Sequence, residues 1–485
     1  MKRTFWHSLV ALLAGAALRF FFVLKFPGGS GDTIIYDQLA ANWLKYGKYA
    51  MDVSGQPLSV DIRMPGYPAF LAFIAAVTRQ SVENAHRPAM IAQIFVDLAT
   101  CLVVAALAVL LFRACSPQTA LPGSPAHRRV FLAALWLAAL CPFTANYTGV
   151  PLTETWAIFF TTLATLALAP FFQSVQGPWL FPDERWRGQR RQIFLAGLLV
   201  GLGTLFRPET PLLLATAMLV LAYFLLRARK PLRLLRISLL FLAGAVVPLL
   251  PWAVRNAVTF HEFQPLTPKD TNLPGELVPK GFMAWERTWL YRVRDNYLVP
   301  WKLNDEEIDI DDIPDSAFDT REEWERIASA FESYNQDLNF TADEDAVFAQ
   351  VARERTARHP LRTYLWIPLR RAARIWFTPR IELLPFSGHV FPLAYMYQED
   401  RVDQRVTILL FLLNLIYIAL GIWGAWRLWQ LPGAQPVVAF LVLYIVLRTA
   451  FLTTLETPEP RYVLVCFPLL TAMAAQIFQP RPARS

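Results

Sequence analysis

The sequence predicts an all-α polytopic membrane protein: about ten transmembrane helices, an interfacial first outer loop and a large, mixed but mainly helical outer loop domain. Three observations predict it. Of the 485 residues, 55% are hydrophobic and 17% charged, with a mean hydropathy of +0.33. Apolar runs near the ~20 residues that span a bilayer recur along the chain. The basic residues concentrate in the short segments between those runs, so the net charge of +8 is orientation information and does not point to nucleic acid. The four cysteines (Cys101, Cys115, Cys141, Cys466) lie in or beside apolar segments and suggest neither a disulfide framework nor a cysteine metal site.

The first apolar run covers 5–26, follows Lys2 and Arg3, and is interrupted by Arg19. No small-residue cleavage site follows it, so an anchor is expected and not a removed signal peptide. Further runs lie at 89–112, 130–147, 151–172, 192–206, 209–226, 236–254, 406–428, 434–452 and 461–478. The stretch 66–78 is shorter and opens on Gly-Tyr-Pro, and parity decides its role. If it does not cross, three basic loops share the side of the N-terminus: Arg113, Arg128 and Arg129; Arg185, Arg187, Arg190 and Arg191; and Arg227, Arg229, Lys230, Arg233 and Arg236. If it crosses, all of them lie outside, against the positive-inside rule. An interfacial helix is therefore expected at 66–78, with both termini cytoplasmic.

This divides the chain into a transmembrane catalytic module at 1–255 with its outer loop at 27–88, a large extracytoplasmic loop with juxtamembrane helices at 256–401, and C-terminal transmembrane helices at 402–485. Within the large loop, the acidic run from Asp305 to Asp315 lacks the glycine of an EF-hand loop and suits a solvated surface. Thr341 and Glu344 have capping-box spacing and start a helix that ends near His359-Pro360. Mixed aromatic and basic residues at 362–380, among them Tyr364, Trp366, Arg370, Arg371 and Arg374, suit a helix in the headgroup zone.

Candidate chemistry gathers on the outer side. Asp32 follows a Gly-rich exit from the first span, and Tyr36 lies one helical turn further on the same face. Asp32 equally suits an N-terminal helix cap. The loop closes on Asp61 and Arg63, just before Met-Pro-Gly-Tyr67-Pro. Arg207, Arg255, Arg448 and Arg461 stand near outer span ends, where each alone is accounted for by snorkelling. With Arg63 they form a set suited to an anion, because the guanidinium fork binds phosphate bidentately. Glu154, Glu209, Glu456 and Glu459 share that side. A carboxylate that takes a hydroxyl proton, beside arginines that stabilise a departing phosphate, suits transfer from a lipid-linked phosphate. No P-loop or Gly-x-Gly-x-x-Gly motif calls for a soluble nucleotide. The alternative is a lipid-linked sugar flippase or transporter, for which the intramembrane Asp97, with Gln93 one turn earlier, is the leading group.

These motifs resemble the GT-C glycosyltransferases, close to the protein O-mannosyltransferase and lipid A aminoarabinose transferase group and most of all its bacterial dolichyl-phosphate-mannose mannosyltransferase-like branch. The resemblance rests on Asp32-x-x-x-Tyr36, Arg63-x-Pro65-Gly66-Tyr67-Pro68, Thr153-Glu154, Leu205-Phe206-Arg207-Pro208, Pro251-Trp252-x-x-Arg255-Asn256 and Arg461-Tyr462, and covers about the first 260 residues well. It implies a polyprenyl-phosphate sugar donor, inversion at the anomeric carbon and, in some members, a divalent metal ion. By the same resemblance Asp32 is the catalytic carboxylate and Glu154 the second acid. Tyr36, Asp61, Arg63, Tyr67, Arg207, Arg255, Arg461 and Tyr462 would bind substrate. The aminoarabinose transferases carry Glu-Lys-Pro-Pro where this chain has Ile62-Arg63-Met64-Pro65, so Asp61 stands in for that glutamate only by position. No His-rich ligand set is present, and the metal stays open. Mannose, an arabinose derivative and glucose are all compatible as the sugar, and a lipid, glycan or protein hydroxyl as the acceptor. The expected location is a bacterial inner (plasma) membrane, among membrane lipids, with the site extracytoplasmic.

Overall fold

The computed structural model describes residues 2–115, 124–173, 186–268, 273, 276–388, 390, 400–431, 433–457 and 459–479. Arg185 and the side chains of Cys115 and Arg187 lie outside the described residues. In chain order the first helices are α1 (Lys2–Lys25), α2 (Gly31–Tyr46), α3 (Gly66–Thr78), α4 (His86–Cys115), α5 (Pro125–Ala139), α6 (Pro142–Asn146) and α7 (Glu154–Gln173). They are followed by α8 (Trp186–Thr204), α9 (Pro211–Arg227), α10 (Pro231–Val246) and α11 (Leu250–Phe260). The large loop contributes α12 (Lys280–Glu286), α13 (Val293–Asn296), α14 (Arg321–Tyr334), α15 (Ala342–Arg358) and α16 (Ile367–Trp376). The C-terminal helices are α17 (Arg401–Trp429), α18 (Gln435–Thr453) and α19 (Phe467–Ala474).

The chain is an integral membrane protein. Seven helices are long and apolar enough to cross a membrane, and α5 with the following short helix, bent by 45°, makes an eighth if the pair is one span. Two of the expected spans fall short of that standard: α9 has 17 residues, and α8 opens on Arg187, Arg190 and Arg191. The 13 residues of α3 extend about 20 Å, less than the ~30 Å hydrocarbon core, so this helix does not cross on its own.

Two compact units are present, Met1–Lys269 with Pro379–Ile445 and Leu464–Ser485, and Asp270–Thr378 with Val446–Val463. In the first, a buried arginine ties three helices together. Arg19 is wholly enclosed, and its Nε donates to Asp97 Oδ2 at 2.7 Å. Its other nitrogens donate to the carbonyls of Gly15 and Ala139, both at 2.8 Å, and to Cys101 Sγ at 3.2 Å. A charge removed from water is tolerated only when paired and fully hydrogen-bonded, and α1, α4 and α5 supply those partners. Asp97 is thus neutralised by Arg19 from another helix. Gln93 accepts from the Tyr67 hydroxyl at 2.8 Å and donates to the carbonyls of Thr148 and Val150 at 3.2 and 3.0 Å.

α8 and α10 meet backbone to backbone through Gly197, Gly201 and Gly244. A Cβ at Gly197 would lie 2.3 Å from the Phe241 carbonyl oxygen, and one at Gly201 would lie 2.2 Å from that of Ala245. A Gly-x-x-x-Gly face is the membrane solution to close helix contact, where dispersion replaces a hydrophobic driving force.

The segment between α2 and α3 also holds two strands that the all-α expectation does not include. β1 (Ala50–Val53) pairs antiparallel with β2 (Gln56–Ser59), Ala50 opposite Ser59 and Val53 opposite Gln56. Ser54 and Gly55 turn the hairpin with φ of 50° and 76°, the two left-handed positions of a type I′ turn. That Ser-Gly pair is the local signal for the hairpin.

The second unit has an aromatic core of Phe282, Trp285, Trp289, Phe331, Tyr334 and Phe348. The predicted capping box is in place, with Thr341 N donating to Glu344 Oε2 at 2.7 Å at the start of α15. Arg355, fully enclosed, donates to Glu323 at 3.0 Å, Thr288 at 2.9 Å and the Ser316 carbonyl at 2.9 Å. Between the α15 terminus and α16 the backbone winds through a wider turn at Arg362–Trp366. Tyr364, Trp366, Leu369 and Phe377 are exposed, as a headgroup-zone segment requires. Arg371, expected among the headgroup residues, is instead buried and donates to the carbonyls of Leu290 and Leu455 at 2.7 and 2.8 Å.

Two outcomes test this packing. Gly201→Ala lowers thermal stability in detergent, at ~1–3 kcal/mol for the overpacked contact, whereas Gly31→Ala, with open space around it, does not lower it. Glu286 is buried with Oε1 unbonded, and burial raises its carboxyl to about 8 despite nearby Arg371 and Arg287. Between the unfolded pKa near 4.5 and about 8 the native state therefore holds more protons, so stability falls as pH rises. Thermal melts across that window slope downward for the native protein and flatten for Glu286→Gln.

Candidate active site

α2 begins where the sequence places its chemistry. Its N-cap is Ser30, in extended conformation at φ −143°, with Ser30 N donating to Thr33 Oγ1 at 3.1 Å. Asp32 is therefore not the cap. It sits in the first turn, where the helix dipole favours a carboxylate, and accepts from Arg63 Nη2 at 2.9 Å. Both side chains are about one-quarter exposed, so the pair opens to the surroundings.

Arg63 is aimed by a chain of contacts. Arg255, in the middle of α11, donates to the carbonyls of Val60 and Tyr49, each at 2.8 Å, and its guanidinium lies 5.5 Å from the Tyr49 ring centroid. Tyr49 in turn donates its hydroxyl to the Arg63 carbonyl at 2.9 Å. Arg255 also donates to Asn256 Oδ1 at 2.9 Å and packs on Trp252 and Phe260. Its donors anchor the hairpin, which sets it apart from the phosphate ligand that its position suggested.

A second pair forms at the start of α7. Glu154, 2% exposed, is hydrogen-bonded by Arg207, which also lies 3.8 Å from Glu209. Arg207 belongs to the tight turn between α8 and α9, and that turn is held from two sides. Phe206 stacks on Trp156 with centroids 5.2 Å apart at 12°. Gly66 N donates to the Leu205 carbonyl at 2.7 Å, an approach that a Cβ at Gly66 would block at 2.5 Å.

The charges of both pairs act on Tyr36. Its phenol is raised to about 12, first by burial and then by Asp32, with Arg207 and Arg63 opposing and Glu154 adding a smaller push. All four charges therefore act on one hydroxyl. Among the described residues that hydroxyl has no hydrogen-bond partner, and it stays protonated at neutral pH as a donor. Tyr67 supports it edge-on, with centroids 5.1 Å apart. Tyr67 itself is fully enclosed with its hydroxyl on Gln93, so it backs the site and does not face a substrate, contrary to expectation. Asp37, one residue after Tyr36, accepts from His86 at 2.8 Å and ties α2 to α4.

The remaining candidates are engaged elsewhere. Asp61 is partly buried; burial raises its carboxyl, and the side-chain charges acting on it are Arg255 and Glu262, not Arg63. Arg461 and Tyr462 belong to the second unit, where Arg461 pairs with Glu459 at 2.7 Å and the Tyr462 hydroxyl donates to the same carboxylate. Arg448, also there, donates to the Tyr462 carbonyl at 2.9 Å. Tyr49 and Ser30 escape sequence reasoning because each acts through a backbone group, which no side-chain pattern announces. Among the described residues no three His, Cys, Asp or Glu side chains gather to hold a metal ion. Asp32 and Glu154 are each neutralised by an arginine, so the donor set does not fit a divalent cation.

No protein-family description matches the sequence, and no curated protein matches it. Solved structures do match. The oligosaccharyltransferase AglB from Archaeoglobus fulgidus, in complex with an inhibitory peptide and a dolichol-phosphate, aligns over 98% of this chain and 50% of its own, with 14% identity and a TM-score of 0.51. The oligosaccharyltransferase of the same organism tethered to an acceptor peptide aligns over 97% and 49%, with 14% identity and a TM-score of 0.50. ArnT from Cupriavidus metallidurans bound to undecaprenyl phosphate aligns over 96% and 77%, with 12% identity and a TM-score of 0.38. The chain spans about half the length of the archaeal enzyme. Its fold is that of a polytopic membrane protein of the GT-C type.

Proposed function

We propose that the chain is a glycosyltransferase that moves a sugar from a polyprenyl-phosphate donor to an acceptor hydroxyl at the extracytoplasmic face, with inversion. The observation that supports it is the presence of two carboxylate–arginine pairs, Asp32–Arg63 and Glu154–Arg207, whose charges act on the unbonded Tyr36 hydroxyl. Asp32 accepts the proton of the acceptor hydroxyl as its oxygen bonds to the anomeric carbon. The bond from that carbon to the phosphate oxygen breaks on the opposite face, and its electron pair leaves on the phosphate. Arg63 and Arg207 stabilise that charge; a guanidinium carries five donors and can serve a carboxylate and a phosphate together. Tyr36 donates its O–H to the same oxygens or to the sugar. The GT-C-like fold and the dolichol-phosphate bound to the archaeal enzyme support a greasy donor lying between helices.

Orientation follows from the basic loops: both termini cytoplasmic, with the α1–α2 loop, the start of α7 and the α8–α9 turn outside. Intramembrane ionisable groups commonly mark transport pathways, and the leading candidate here, Asp97, is spent on Arg19.

Release of polyprenyl phosphate from synthetic short-chain mannosyl, arabinosyl and glucosyl donors, with pooled acceptors, tests the reaction. Wild type releases it with one donor, and Asp32→Asn retains donor binding but loses turnover by at least ~100-fold, the scale of general-base catalysis. Binding without release for every donor would move the chain to the transporter class. Arg255→Ala exposes 47–62 to limited proteolysis and lowers turnover, and Arg255→Lys does not restore it, because an ammonium cannot bridge the Tyr49 and Val60 carbonyls in one plane.

A further inference from the structure

A groove lined by none of the candidate site residues lies between α5 and α17. Along α5, Leu132, Trp136 and Leu140 repeat at the spacing of one helical face; along α17, Leu413, Ile416 and Leu420 do the same. The two stripes wall a groove of about 760 Å³. Ala133 leaves it wide, and the Tyr417 hydroxyl is satisfied within the protein, donating to the Leu137 carbonyl at 2.7 Å. One charged side chain lines the groove, Arg129 at the start of α5. Arg129 is exposed and makes no ion pair or hydrogen bond among the described residues.

The groove has a length and a polarity. From Arg129 to Leu140 α5 rises about 16 Å, half of a ~30 Å hydrocarbon core. That is one leaflet. Arg129 marks the end on the basic side, which the orientation proposed above makes cytoplasmic, whereas the donor phosphate is expected at the opposite face. We infer that this groove seats one acyl chain of an anionic phospholipid of the cytoplasmic leaflet, with Arg129 holding its headgroup phosphate. The inference takes only the orientation from the proposed function and does not depend on glycosyl transfer.

Native mass spectrometry of the full chain in mild detergent tests it, with phosphatidylglycerol and phosphatidylcholine of matched acyl chains. Wild type retains one phosphatidylglycerol over phosphatidylcholine by roughly fivefold, the effect of one guanidinium at an anionic surface. Arg129→Ala, a surface change, brings the two lipids to parity, and Arg129→Lys restores the preference. Ala133→Trp fills the groove and lowers retention of both lipids, while Arg236→Ala, on an exposed part of α10, leaves the preference unchanged. Equal retention of the two lipids by wild type, or a preference undiminished in Arg129→Ala, overturns the assignment. An equal loss in Arg236→Ala would reduce it to bulk charge, and displacement of phosphatidylglycerol by a synthetic polyprenyl phosphate in wild type would give the groove to the donor.

Discussion

An ionised side chain taken out of water has to be neutralised where it stands, and the first unit is organised by three arginines that do this. Arg19 neutralises Asp97 within the apolar helices, Arg207 neutralises Glu154 at the start of α7, and Arg63 neutralises Asp32 on α2. The first pair is sealed and joins α1, α4 and α5. The third remains partly open to its surroundings. This gradient runs from a closed pair that holds helices together to one whose charges stay accessible.

The open pair depends on secondary contacts that are almost all to backbone. Arg255 grips two carbonyls of the hairpin, Tyr49 grips the carbonyl of Arg63, and Gln93 grips the segment leading into Glu154. Each uses one long side chain to pin a stretch of irregular chain beside the membrane. Loops hold catalytic groups well only when over-determined in this way, since their own backbone bonds do not fix them. The result is a phenol under four charges whose positions are set by α2, α7, the α8–α9 turn and the hairpin exit.

The second unit manages burial differently. Its aromatic core is apolar and tightly interlocked, yet Arg355 and Arg371 lie within it, satisfied by carboxylates and carbonyls. Such enclosed guanidinia join elements of different sequence origin and fix their register, because removing one partner would leave a charge without water. Arg461 and Tyr462 are drawn into the same kind of local bonding through Glu459.

Much of this was legible in the amino-acid sequence, because the bilayer imposes length and hydropathy on any chain that crosses it. The helical membrane class, the shortness of 66–78, the capping box at Thr341 and the Asp32–Tyr36 face all follow from local spacing. So does the reading of Arg63 and Arg207 as members of an arginine set that shares one side with carboxylates. Tertiary structure alone decided which acid each arginine meets. It gave Asp97 to Arg19 across 78 residues, Glu154 to Arg207 across 53, and Arg255 to the hairpin backbone. It also made Ser30 the cap and left Asp32 for Arg63. The physical reason is the same in each case: periodicity records which face a residue occupies, while pairing depends on which other helix, far along the chain, packs against that face.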